Sequence, residues 1–130
     1  MYYNLTWADH GTTITLAQQA DLDMRLAYPN ATHLRNKNPK YNCHSYAWYS
    51  TSSSNPYWMD GSYAAIYMSD GSYYQVTSPA SGDRIWYGSG DHSGIMYSST
   101  KVTSKWGMLG LYRHTKADCP YSGAKTYWRR

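Results

Sequence analysis

The sequence predicts one α+β domain, with helices first and an antiparallel sheet after them. Three observations predict it. Apolar residues recur at helical spacing before residue 50, the period falls to two from about Tyr63, and turn residues then interrupt the chain at short intervals. Helices that precede a block of strands are expected to pack together on one side of the sheet. The 130 residues suffice for one core without help from metals or disulfides. Within that domain we expect an N-terminal extension and helix over 1–28, a core over 29–114 and a tail over 115–130.

The first helix is expected over Leu16 to about Ala27. Thr15 and Gln18 fit a capping box, and Leu16, Ala17, Ala20, Met24 and Ala27 share one face. Pro29 ends it, and 29–41 reads as loop through Asn30, Asn36, Asn38 and Pro39. A second helix starts at Asn42 or Cys43 and runs to about Ser50, with Asn42 as a good N-cap. Residues 51–56 form a loop. Asp60-Gly61-Ser62-Tyr63 and Asp70-Gly71-Ser72-Tyr73 read as a reused tight turn. Strands follow at Tyr73–Thr77, Arg84–Tyr87, Ser93–Tyr97, Val102–Lys105 and Leu109–His114. Their close spacing implies antiparallel pairing in a five- to six-stranded sheet.

Composition narrows the chemistry. There are 16 Tyr and 6 Trp but no Phe, and all eight acidic residues are Asp. Without Glu, a His-Glu-x-x-His zinc protease and an EF-hand closed by Glu are excluded. A glycosidase would need two Asp. Net charge is +4, with no basic run long enough for a nucleic-acid tail. A weakly cationic surface suits an anionic partner such as a cell-wall polymer, or merely keeps the chain in solution. No run of 18 apolar residues occurs, so no membrane-spanning helix is expected. The residues after Met1 lack a signal-peptide pattern, so a secreted or wall-associated protein would carry its signal outside this sequence.

Cys43 is the most informative residue. A thiol at a helix start has its pKa lowered by the helix dipole, and the unpaired backbone N–H groups there suit an oxyanion. The candidate bases are His10, His33, His44, His92 and His114. His44 projects about 100° from Cys43 around a helix. His92 opens an apolar strand and is the better candidate. The competing readings are a Cys43–Cys119 disulfide and a zinc site built from Cys43, His92, His114 and Cys119. The aromatic residues have two readings as well. Trp48, Tyr57, Trp58, Trp86 and Trp106 replace Phe in the core, or some of them line a groove for sugar rings or stem peptides.

A Cys at a helix start, then Gly82-Asp83 opening the strand Arg84-Ile85-Trp86-Tyr87, then His92 opening Ser93-Gly94-Ile95-Met96, resembles the papain-like cell-wall cysteine peptidases and amidases of the NlpC and CHAP type. The resemblance covers roughly 28–114. It implies a papain-like fold, a Cys43 nucleophile, a His92 base and cleavage of peptide or amide bonds in peptidoglycan without a cofactor. It places the imidazole-orienting residue on the next strand, where Ser104 sits nearest, and Lys105 beside it would repel an imidazolium. It also implies substrate contacts from Tyr28 or Tyr41 and from Asn42, where the family often has Asp; Trp106 is a further substrate-binding candidate from the aromatic set. Two other classes of function remain open: a non-catalytic wall- or carbohydrate-binding module, and a secreted toxin or effector using the same dyad on a protein.

Overall fold

A computed structural model describes residues 4–7, 12–88 and 91–130 of the chain, the first two strands through their backbone. Strands β1 (Asn4–Trp7) and β2 (Thr12–Thr15) pair antiparallel and lead into helix α1 (Leu16–Ala27). Strand β3 (Thr32–Arg35) follows, then a short helix whose main part, Ser45–Tyr49, is wound as a wide π turn, then helix α2 (Gly61–Ser69). The remaining strands are β4 (Tyr74–Val76), β5 (Arg84–Tyr87), β6 (His92–Met96), β7 (Lys101–Lys105), β8 (Leu111–Thr115) and β9 (Lys125–Arg129). Strands β3 to β9 form one seven-stranded antiparallel sheet, in the order β3-β8-β7-β6-β5-β9-β4.

This corrects the expected fold class. The protein is mostly a seven-stranded antiparallel sheet with three short helices, not a papain-like α+β domain of helices packed on five or six strands. Two of the sheet's strands fall where no strand was expected. β3 lies inside the 29–41 loop and β9 inside the 115–130 tail. The helices also do not share one side of the sheet. Ile85, Tyr87, Met96, Val102, Trp106 and Tyr112 face one way and meet Met24 and Tyr28 of the α1 region. Trp86 and Ile95 face the other way, toward Ala47 and Trp48 of the π helix and Ala64 of α2. Alternation along each strand produces this division.

Helix α1 forms where its spacing predicts, but its buried face differs from the apolar one. Leu16 and Leu26 are exposed, while Asp21 is buried. The Asp21 carboxylate accepts bonds from the Gly110 backbone N–H and the Tyr112 hydroxyl, so a polar anchor fixes the helix to β8. Helix α2 occupies the first of the two Asp-Gly segments, which therefore opens a helix instead of closing a hairpin.

Gly94 sits where facing side chains crowd the centre of the sheet. A Cβ there would lie 2.6 Å from Val102 Cγ1 and 3.1 Å from Ser104 Cβ, so only glycine fits without a shift. The Gly82-Asp83 pair also has a structural role. Arg129 of β9 grips Asp83 through two bonds of 2.8 Å, and Ala80 N–H donates to the same carboxylate. A planar guanidinium matched to a nearly buried carboxylate is a strong, directional tie, and it holds the Asp83 pKa below the usual carboxylate range. Among the described residues no helix is long and apolar enough to cross a membrane.

Candidate functional site

Asn42 starts the Cys43 helix. Its Oδ1 accepts the Ser45 N–H at 3.2 Å, and its carbonyl accepts the Tyr46 N–H at 3.0 Å. That is side-chain capping as the sequence implies. The next turns widen, so Ser50 N–H bonds Ser45 O at 2.9 Å, five residues back. Ser45, Tyr46, Ala47 and Trp48 are all buried because the helix is enclosed on both sides. The sheet covers one side. The 55–59 segment covers the other, stapled by two asparagines: Asn42 exchanges bonds with the Met59 backbone, and Asn55 Nδ2 donates to Ser45 Oγ and Ser50 O.

Cys43 lies at the end of β6 that His92 opens. Its Sγ is 3.8 Å from the carbonyl of Asp91, the residue before His92. The thiol is only 3% exposed. Burial pushes its pKa up to about 11, against the smaller lowering effect of backbone bonds at Ser93, His44 and Cys43. The resting thiol is therefore protonated at neutral pH. The short helix does not overcome desolvation.

His92 is fully buried, and among the described residues neither ring nitrogen has a hydrogen-bond partner. Its ring stacks on Tyr121 at 3.7 Å and meets Tyr87 edge-on at 5.0 Å. Burial, then the neighbouring His114 and His44, hold its pKa well below the ordinary histidine value. Strand alternation sends His92 to the α1 side and Ser93 to the π-helix side. There Ser93 Oγ lies 2.7 Å from His44 Nδ1 and 3.0 Å from Trp48 Nε1. So the structure brings Cys43 to the start of the His92 strand but forms no hydrogen bond between their side chains.

The other expected site residues are placed as follows. Ser104 is engaged elsewhere: its Oγ lies 2.7 Å from His114 Nε2 and accepts from Trp106 Nε1 at 3.2 Å, so it does not orient His92. Trp106 is 1% exposed and stacks on Tyr112 at 3.9 Å, a core position. Tyr28 packs edge-on against Trp106 at 5.5 Å. Tyr41 is buried, and its hydroxyl accepts from Arg35 Nη1 at 3.2 Å. His33 is on β3 near Asp21, with Nε2 3.8 Å from the carboxylate. His10 lies outside the described residues. Cys43 and Cys119 are both free thiols. Among the described residues, no three His, Cys or Asp converge as the zinc alternative requires.

Two features escaped the sequence reading. Tyr121, read as tail, covers His92. Lys105, read as a poor neighbour for an imidazole, is completely buried and donates to Asn38 O, Tyr41 O and Gly107 O at 2.5, 2.9 and 2.7 Å. Gly107 has φ +60, a left-handed turn that suits glycine, and its carbonyl accepts the Lys105 ammonium. Burial lowers the Lys105 pKa from 10.5 to about 7, against the raising effect of Cys43 and Asp21.

No family model matches the sequence, and no curated protein and no solved structure shows significant similarity to it.

The buried histidines set a pH dependence. His92 and His114 both have folded pKa values below the unfolded 6.5. The unfolded chain therefore binds more protons as pH drops through 6.5, and stability falls with it. Asp83, also depressed, adds to the loss at lower pH. The thermal midpoint should decline steadily from pH 6.5 to 4.5 in a scanning-fluorimetry series. A midpoint that rises on acidification would refute the buried, neutral histidines.

Proposed function

We propose that the protein is a thiol-dependent amide hydrolase, with Cys43 as nucleophile and His92 as base. One observation carries the reading: the Cys43 thiol reaches the strand end that His92 opens, and neither nitrogen of the fully buried imidazole there has a partner among the described residues. Native structures rarely leave such groups unsatisfied without a reason, and a proton-transfer role is one. Both groups rest neutral, so the reaction is concerted. As Sγ bonds the amide carbonyl carbon, its proton passes to an imidazole nitrogen. The imidazolium then protonates the leaving amine as the C–N bond breaks. Water attacks the thioester, releasing the acid and restoring the thiol. Backbone N–H groups at the helix start stabilise the oxyanion.

Peptide or amide bonds of peptidoglycan are the substrate class. The resemblance in the sequence supports this choice, as does a net charge of +4 that suits an anionic wall. A secreted or wall-associated location follows from that substrate.

The test is amine release from purified wall fragments and from peptide amides across pH 5 to 9, with iodoacetamide labelling read by peptide mass. Release that stops when Cys43 alone is alkylated supports the hydrolase. No release from either substrate, with Cys43 unlabelled across that range, makes Cys43 a core thiol and ends the reading.

A further inference from the structure

The 55–59 staple builds a second site on the outer side of the π helix. Asn42 and Asn55 fix the backbone of this segment at both ends, so Tyr57 and Trp58 project into solvent, 59% and 50% exposed. Tyr49 of the helix and Tyr63 and Ile66 of α2 are more than half exposed around them. Together with Met59, Tyr67 and Asp70 they line a groove of about 590 Å³. That volume is within the range of small-molecule sites. Tyr49 and Tyr57 meet at 5.5 Å and 78°, so their rings stand as two perpendicular walls. Apolar surface of this kind left open on a folded domain marks a binding site.

The charges choose the ligand. In a chain of net charge +4 the lining holds no Lys or Arg, and its charged side chain is Asp70. The Asp70 carboxylate is fixed at the end of α2, where Oδ1 accepts both the Ser72 N–H and the Ser72 hydroxyl. Elsewhere the protein fills its aromatic faces with its own cations: Arg113 over Tyr97 at 3.7 Å, Lys105 over Tyr41 and Lys116 over Tyr127, both at 4.8 Å. Among the described residues no such cation sits over the groove rings. Electron-rich ring faces, aliphatic Met59 and Ile66 and a single carboxylate suit a cation wrapped in methyl groups. A sugar would need a denser set of fixed polar groups.

We propose that this groove binds a quaternary ammonium group of the choline type, held by the faces of Tyr49, Tyr57, Trp58 and Tyr63 and balanced by Asp70. The site does not depend on Cys43.

The test uses the full chain and follows tryptophan fluorescence on titration with three probes. These are choline chloride, its neutral isostere 3,3-dimethyl-1-butanol, and a chitin tetrasaccharide. Choline should saturate the signal, and the isostere should bind about tenfold more weakly or worse, since the attraction is electrostatic. Trp58→Ala should weaken choline about tenfold and Asp70→Asn about fivefold, with unchanged circular dichroism because both side chains are exposed. Equal binding of choline and its isostere would overturn the proposal and leave an apolar groove. Saturation by the tetrasaccharide alone would overturn it in favour of a glycan site. No saturation by any probe would remove the site altogether.

Discussion

His92→Phe should raise stability by about 1–2 kcal/mol and, on the hydrolase mechanism proposed above, abolish turnover. The two effects have one origin. Phenylalanine keeps the planar ring that stacks on Tyr121 and meets Tyr87. It removes two nitrogens that are buried without partners among the described residues, and relieving such groups is favourable. It also removes the base that the proposed mechanism uses. Turnover should fall by about a thousandfold or more. Cys43→Ala should match that loss with little change in fold, because alanine keeps the Cβ and removes only the weak sulfur contacts to the Asp91 carbonyl and to the backbone at Ser93 and His44. Urea unfolding of both variants, run beside the amine-release assay, separates the terms. A His92→Phe protein that is less stable than the wild type would mean that the nitrogens are satisfied in solution. An active one would remove His92 from the chemistry.

Lys105→Met should destabilise the protein by about 3 kcal/mol. Methionine fills the same tunnel, so the change removes donors more than volume. Three carbonyls, of Asn38, Tyr41 and Gly107, then lose their common partner. Each buried acceptor left unmade costs about 1–3 kcal/mol, and those near the surface recover part of it from water. The charged group was itself expensive to bury, as its lowered pKa records, so the net loss is less than the sum. The lost bonds hold residues 38–41, immediately before Asn42 and Cys43. The variant should therefore also expose the thiol, and iodoacetamide should reach Cys43 faster than in the wild type. A variant as stable as the wild type would show that the three bonds do not persist in solution.

The sequence disclosed elements whose burial follows their local pattern. Helix α1 matches its expected span, and β5 to β8 fall within two residues of theirs, because apolar alternation and turn residues bound them. The start of the Cys43 helix was legible through Asn42, a short side chain able to bond an N–H three residues on. Of the elements that were not, three show why. Gly61 looks like a turn residue, and nothing local says that Ala64 will be buried against Trp48 and Tyr73. β3 is an edge strand of four half-exposed residues, and β9, Lys125–Arg129, has no fully buried one. Such strands carry no core signature, so five or six strands were counted where the sheet has seven. The fold class failed with them.

The candidate site was half legible. Cys43 and His92 do come to one end of one strand. Which face each side chain takes depends on register, and a shift of one residue reverses it. The preference of Ser104 for His114, the cover given by Tyr121 and the reach of Lys105 to three carbonyls arise from contacts distant in sequence. No motif announces them.

The place of β9 in the sheet bears on how the protein is made. β9, the last of the described strands in chain order, is not an edge of the sheet. It lies between β5 and β4 and pairs with both. Until residues 125–129 emerge, β4 has no neighbour in the sheet, Asp83 waits without Arg129, and one flank of β5 stays open to any passing strand. The nascent chain thus carries an unclosed seam until β9 leaves the ribosome. Residues 125–129 then seal the seam at once.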